Sequence, residues 1–188
     1  MQIAPDGTLI VSATDLVGYL ACDHLATLEL GRVEGLWEKP HHRVDPELML
    51  LQERGDLHEK AYLERLRASG KSVHEIENRA GRTPAELRAA EAETLDAMRR
   101  GTDVIYQATF FDGRWRGHAD FLFKRADRPS PGLGAWSYDI ADTKLARSVK
   151  GGAILQMCVY ASLLEHWFDV DADRILPDAK KLPRFNLV

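Results

Sequence analysis

The chain has 188 residues, which is long enough for one domain with its own hydrophobic core. Its formal net charge of -4 excludes binding of nucleic acid through an overall basic charge, so any such surface must be local. The two cysteines lie far apart in sequence and do not form a disulfide framework. No apolar run is long enough to span a membrane, and Met1 is not followed by a signal-peptide pattern. We therefore expect a cytoplasmic protein with no membrane partner.

The N-terminal hundred residues are predicted to be mainly helical, because helix caps precede apolar residues at helical spacing. Ser12 and Asp15 have the spacing of a capping box, and Thr83 and Glu86 repeat it. The predicted helices cover 12–22 with a continuation to 30, then 46–69 and 83–99, with short extended segments at 1–11 and 71–76.

The second half is predicted to form strands followed by a helix. Segments 103–111 and 114–124 are rich in apolar and β-branched residues, and Asp112-Gly113 between them is typical of a hairpin. A third strand covers 136–144, and a helix covers 148–168. This order predicts an α/β (α+β) fold, in which a small mixed β-sheet is flanked by helices and preceded by an N-terminal helical region.

Polar residues on two neighbouring predicted strands indicate a metal site. Asp142 and Lys144 share one face of the third strand, and Asp120 lies on the strand before it. Carboxylates on neighbouring strands can hold a hard cation such as magnesium, and a lysine beside them can position a water for attack on a phosphodiester. The structural alternative is an ordinary salt bridge between Asp142 and Lys144 at the edge of the sheet.

A local excess of basic residues surrounds these strands. It favours contact with an anionic ligand, although an ordinary solvated face is the alternative. Its members are Arg114, Arg116, Lys124, Arg125, Arg128, Lys144, Arg147 and Lys150.

His58 lies on one stripe of the second long helix, together with Leu51, Gly55, Tyr62 and Leu66. A histidine on such a stripe is usually a core residue with a satisfied hydrogen bond. Glycine inside a helix is destabilising relative to alanine, so Gly55 predicts that another part of the chain packs close to it.

Four other features have ordinary interpretations. We interpret Cys22 as a small hydrophobic residue that is buried in the core. The adjacent pair His41-His42 is interpreted as part of a loop, and 169–173 as a polar turn. On the last helix, Gln156 and Tyr160 are one turn apart, which fits a surface amide and a core aromatic as well as a site.

Four short motifs occur in the order and spacing of the RecB-type nucleases. These belong to the PD-(D/E)XK superfamily, which shares the restriction-endonuclease-like core. The motifs are Gly55-x-x-His58-Glu59, Gly117-His-Ala-Asp120, Asp142-Thr-Lys144 and Gln156-x-x-x-Tyr160. The resemblance covers residues 10–168, and it is greatest to the putative RecB-like nucleases and the exonucleases of CRISPR adaptation.

The resemblance implies a metal-dependent, exonuclease-like DNA nuclease acting on single strands or ends, in DNA repair, recombination or CRISPR-type processing. It implies that Mg2+ or Mn2+ is held by His58, Asp120, Asp142 and the carbonyl of Thr143. Lys144 would position the water. The implied partners are DNA and a helicase or another DNA-processing protein. The alternative is a catalytically silent nucleic-acid-binding module of a larger assembly.

The same resemblance implies supporting roles for residues around the ligands. Gln156 and Tyr160 would brace the lysine and contact the DNA strand, while Arg116 and Arg147 would bind or support the nucleic acid. Glu59 and Asp139 are expected to act at most indirectly, through the ligands.

The chain departs from the family in its cysteines. Many members hold an iron–sulfur cluster with one cysteine early in the sequence and three near the C-terminus. Cys22 matches the early position, but the three later cysteines are missing from this sequence. We therefore expect a cluster only in a longer parent protein. The predicted division is 1–102 for the N-terminal helical region with the His motif, 103–170 for the nuclease core and 171–188 for a tail interpreted as truncated.

Overall fold

The computed structural model describes residues 1–38, 45–77, 81, 83–143 and 150–168. Within these residues the chain forms five helices and six strands. The helices are α1 (Ala13–Ala21), α2 (Asp23–Val33), α3 (Pro46–Ala68), α4 (Pro84–Arg99) and α5 (Gly151–Phe168). The strands are β1 (Gln2–Ile3), β2 (Leu9–Ser12), β3 (Val73–Glu75), β4 (Val104–Phe111), β5 (Trp115–Arg125) and β6 (Ser137–Ala141).

Local sequence signals account for where the helices begin. Asp15 accepts a hydrogen bond from the Ser12 backbone at 2.8 Å, and Glu86 accepts one from the Thr83 backbone at 2.9 Å. Each pairing satisfies a backbone N–H group that has no partner within its helix. Pro46 occupies the first turn of α3, where a missing N–H costs little. These three predicted starts are confirmed.

The first predicted helix is divided at Cys22. The backbone of Cys22 is extended, with φ -165° and ψ 113°, so the predicted continuation to residue 30 is a separate helix. Cys22 is also exposed, which corrects the expectation that it is a buried hydrophobe.

The strands form one mixed sheet in the order β1-β2-β5-β4-β3, and β6 pairs with β5 outside this path. The pairs β2–β5 and β3–β4 are parallel, whereas β4–β5 and β5–β6 are antiparallel. The predicted mixed α/β fold is therefore confirmed. The sheet joins strands from both sides of residue 102, because β1, β2 and β3 precede it in the chain.

Helices pack on the sheet in two groups. Leu63 and Leu66 of α3 pack with Tyr106 and Phe121, whereas the neighbouring residue Leu122 packs in the cluster that contains α4 and α5. Since adjacent side chains of a strand point to opposite faces, α3 covers one face of the central hairpin and α4 and α5 cover the other. The core consequently lies on both sides of β4 and β5.

The N-terminal half of α3 contributes little to this core. Leu51 is 58% exposed, whereas Leu66, at the other end of the predicted stripe, is 8% exposed. No described atom lies within 4 Å of a Cβ built on Gly55, so the expected close packing there is wrong. Across the described part of the chain, no helix is both long and apolar enough to cross a membrane.

Candidate active site

The antiparallel pairing of β5 with β6 brings Asp120 and Asp142 together. Phe121 pairs with Ala141, and the next step of this register places Asp142 beside Asp120, just beyond the end of β6. Asp142 is only 7% exposed, and its carboxyl shares a hydrogen bond with that of Asp120. Two carboxyl groups therefore meet where the strand ends, as the sequence predicts.

Thr143 holds the Asp120 carboxyl in place. Its backbone N–H and its hydroxyl both donate to Oδ2 of Asp120, at 2.6 Å and 2.8 Å. Through these contacts Thr143 orients a carboxylate. The predicted ligation of a metal by the Thr143 carbonyl remains a prediction.

The environment of Asp120 raises its pKa to about 7, from an ordinary value of 3.8. Burial is the largest cause, because it disfavours the charged form, and the hydrogen bond and charge of Asp142 act in the same direction. The two donors of Thr143 oppose this shift. Near neutral pH a large fraction of Asp120 in the metal-free protein is consequently protonated.

Asp120 lies at a gap along one edge of β5. This edge pairs with β2 at Trp115 and Arg116, and with β6 from Phe121 to Arg125. Residues 117–120 fall between the two neighbouring strands, so the carboxyl pair is at the point where the sheet divides. Arg116, a predicted nucleic-acid contact, is half-buried beside β2 at the far side of this gap.

Helix α5 packs an aromatic side chain against the same gap. The Gln156 amide donates to the Tyr160 hydroxyl at 2.7 Å, which confirms that the two side chains lie on one side of the helix. Tyr160 is 5% exposed and its ring lies on Gly117, where a Cβ would come within 2.6 Å of the ring. Burial raises the pKa of Tyr160 to about 12. Tyr160 is thus a packed residue next to the pair, and its contact with DNA remains a prediction.

His58 is half-buried on α3. It lies one helical turn before Tyr62, whose ring contacts Phe121, the residue after Asp120, with centroids 5.2 Å apart. Among the residues described, no three His, Cys, Asp or Glu side chains form a group that could hold a metal ion. The structure therefore brings two of the three predicted side-chain ligands together, and ligation by His58 stays a prediction.

Several predicted residues lie outside the described ranges. They include Lys144 and Arg147, the pair His41-His42, and the tail 171–188. Their roles remain those that the sequence predicts.

Two members of the local basic excess, Arg125 and Arg128, form ion pairs within the fold. Arg125 forms ion pairs with Asp127 and Asp139, and Arg128 also pairs with Asp139 at 3.4 Å. The Lys124 ammonium donates to the carbonyl of Gly101 at 3.0 Å. These cations therefore make contacts within the fold, and Asp139 belongs to the ion-pair group of Arg125 and Arg128. An indirect role of Asp139 toward the predicted ligands remains a prediction.

Sequence reasoning missed Gln107 of β4. Its amide donates to the Glu59 carboxylate on α3, and it has a backbone φ of 58°, in the left-handed region. A polar residue within the apolar run of β4 is the one signal that the sequence offered. Because the partners are 48 residues apart, the contact could not be inferred from local pattern.

Both cysteine thiols, Cys22 and Cys158, are exposed and free. They therefore provide no structural evidence for a cluster, and an iron–sulfur site in a longer parent remains a prediction. Comparison of the chain with known family models, with curated proteins and with solved structures found no match.

Proposed function

We propose that the chain is a metal-dependent deoxyribonuclease of the RecB type, with an exonuclease-like action and a restriction-endonuclease-like core. The observation that carries this proposal is the carboxyl pair formed by the half-buried Asp120 of β5 and the buried Asp142, which lies just beyond β6 and immediately before Thr143 and Lys144 in sequence. A buried pair of like-charged groups is costly unless a cation or a proton separates the charges. Such costly arrangements are concentrated at functional sites.

The donor set fits a hard divalent cation. Asp120 and Asp142 offer carboxylate oxygens, which Mg2+ and Mn2+ prefer, and a cation would replace the proton that Asp120 holds near neutral pH. His58 on α3 is the third candidate ligand. Bound there, the ion would lower the pKa of a water and offset negative charge on the phosphate.

The chain's own residues would prepare this chemistry. Thr143 fixes the Asp120 carboxyl, so that its oxygens are already oriented before a cation binds. Lys144 would position the attacking water and stabilise the anionic transition state. Tyr160 and Gln156 would brace this end of the site, while Arg116 and Arg147 would hold the DNA backbone.

One observation favours the alternative, a silent nucleic-acid-binding module. Within the described residues the carboxyl pair is not joined by a third His, Cys, Asp or Glu in a group that could hold a metal. A module that no longer turns over DNA would retain the fold and its partners, such as a helicase or another DNA-processing protein, without a complete ligand set.

Cleavage of end-labelled single-stranded DNA with Mn2+ tests the proposal. We expect cleavage by the wild type, none with EDTA, and a loss of at least about 100-fold in Lys144→Ala. The matched control is Lys71→Ala, because Lys71 is an exposed lysine on the connection to β3 and should keep near wild-type activity. A folded wild type that binds the DNA without cleaving it in Mn2+ would instead overturn the enzyme proposal and favour the silent module.

A further inference from the structure

Three arginines surround the turn between β4 and β5. Cζ of Arg88, on α4, lies 5.3 Å from the ring centroid of Phe111. Arg116 pairs with Phe111 across the hairpin, so the two side chains leave the same face of the sheet. Arg114 follows Gly113, and Nη2 of Arg88 lies 3.4 Å from the position that a Cβ on this glycine would take. Arg88, Arg114 and Arg116 therefore start from one small region, which we call the arginine cluster.

The arginine cluster differs from the arginines of other helices in its ion pairs. Arg32, Arg67 and Arg99 each pair with a carboxylate three residues earlier in the same helix. Across the described residues, no member of the cluster forms an ion pair with a carboxylate. Like charges that lie close together repel one another, so their grouping favours an anionic ligand.

The nearest carboxylates are engaged by other donors. Glu91 follows Arg88 by three residues on α4, a spacing that permits an ion pair. Its carboxylate instead accepts hydrogen bonds from the indole of Trp167 at 2.7 Å and from a backbone N–H of β4 at 3.3 Å. Asp112 accepts two backbone N–H groups of the turn, at 2.8 Å and 2.6 Å. The guanidinium groups of the cluster consequently keep N–H donors for an anion.

Strand β5 connects the arginine cluster with the carboxyl pair. Arg116 and Asp120 are four residues apart on this strand, so their side chains share a face and lie about 13 Å apart along it. Residues 117–120 fall in the gap between β2 and β6, so neither neighbouring strand pairs with this edge of β5 there. A polyanion that reaches the carboxyl pair can therefore continue along β5 to the cluster.

We propose that Arg88 and Arg114, together with Arg116, bind the phosphate backbone of a single DNA strand that extends from the carboxyl pair along β5 to the β4–β5 turn. This inference rests on the proposed function, because it takes DNA as the ligand. It requires no cation, because guanidinium groups bind phosphates directly. It adds Arg88 and Arg114 to the predicted contact at Arg116, and such contacts hold the strand without reading its bases.

Binding of labelled oligothymidylate to the whole chain in EDTA, followed by fluorescence anisotropy, tests the cluster apart from cleavage. Arg88→Gln and Arg114→Gln should each raise the Kd about fivefold and reduce the slope of log K against log salt by about 0.7. Arg88→Lys keeps the charge and should stay within about twofold of the wild type. Both arginines are exposed, so circular dichroism should show the wild-type fold in each variant.

The matched control is Arg99→Gln, at the other end of α4, because Arg99 is paired with Asp96 and lies outside the cluster. It should bind the oligonucleotide as the wild type does. An equal loss in Arg99→Gln would show an effect of net charge alone and would overturn the inference. Poly-glutamate that binds as tightly as the oligonucleotide, with the same loss in both cluster variants, would assign the cluster to an acidic protein and overturn it as well.

The remaining outcomes separate this inference from the nuclease proposal. An unchanged Kd and salt slope in Arg88→Gln and Arg114→Gln would overturn the role of the cluster. A wild type that binds no oligonucleotide in EDTA would do the same. In either case cleavage in Mn2+ would still decide the nuclease proposal, because that measurement does not depend on the cluster.

Discussion

Two aspartates at the same edge of the sheet have opposite surroundings. Asp139 on β6 pairs with Arg125 and Arg128, so its charge is balanced by cations. Asp142, three residues later, faces the carboxyl of Asp120, and the pKa of Asp120 rises because burial and a like charge disfavour ionisation. Selection for stability alone explains the first environment and does not explain the second. The comparison therefore separates an ion pair that supports the fold from a carboxyl pair prepared for a ligand.

Exchanging each aspartate for asparagine is the strongest way to break this comparison. Asp142→Asn should reduce Mn2+-dependent cleavage of single-stranded DNA by at least about 100-fold, because it removes a proposed ligand. Asp139→Asn should keep cleavage within about threefold, and its partly exposed ion pairs should cost about 1 kcal/mol or less of stability. Initial rates at saturating Mn2+ measure both variants. Equal losses in the two variants would contradict the division.

The free energy of unfolding of the metal-free protein should depend on pH, because the carboxyl pair destabilises the fold when it is ionised. The pKa of Asp120 is about 7 in the fold, against an ordinary value of 3.8. Ionisation of Asp120 therefore destabilises the fold progressively as pH rises from about 4 to 7, and the loss is complete above pH 7. In EDTA at pH 8, Asp120→Asn should raise the free energy of unfolding by about 1–3 kcal/mol, and the gain should vanish near pH 4.

Urea unfolding at both pH values measures this difference, and Asp139→Asn is the control, with no such gain at pH 8. Saturating Mn2+ should reverse the order, because it stabilises the wild type and not Asp120→Asn. A destabilised Asp120→Asn protein at pH 8 without metal would show that the pair is not under electrostatic strain.

Gly117→Ala tests how closely helix α5 packs beside the carboxyl pair. Its Cβ would lie within 2.6 Å of the Tyr160 ring, so the helix or the ring must move. We expect a loss of about 1–3 kcal/mol in the free energy of unfolding, the usual effect of overpacking. Gly151→Ala is the matched control, because no described atom lies within 4 Å of the added carbon. Thermal unfolding measures both variants. If they are equally stable, the Tyr160 ring can move away from residue 117 at little cost in free energy.

Local signals in the sequence were sufficient for most of the elements. The helix caps at Ser12 and Thr83 form hydrogen bonds within one helical turn, and Asp112 forms its hydrogen bonds within the turn of a hairpin. Each can therefore be predicted from neighbouring residues without knowledge of the fold. The meeting of Asp120 with Asp142 was also predictable, because the two carboxyl groups lie on strands that were expected to be neighbours.

The parts that escaped prediction depend on distant contacts. The pairing of β3 with β4 and the hydrogen bond of Gln107 with Glu59 join segments with no shared local pattern. The stripe on α3 failed at Leu51 because helical spacing shows which residues share a face, but not how far along the helix the sheet extends. Asp139 resembled a site residue because its arginine partners are adjacent only in the folded sheet.

The parallel pairing of β2 with β5 has a consequence for how the protein folds. Val11 pairs with Trp115, so this contact closes a loop of roughly a hundred residues, whereas β4 and β5 meet through a short turn. The hairpin can form as soon as its two strands have been synthesised, while β2, made much earlier, has to wait for β5. The gap at residues 117–120 is bordered by β2 only after this slow step, so the edge beside Asp120 is among the last parts of the chain to be completed.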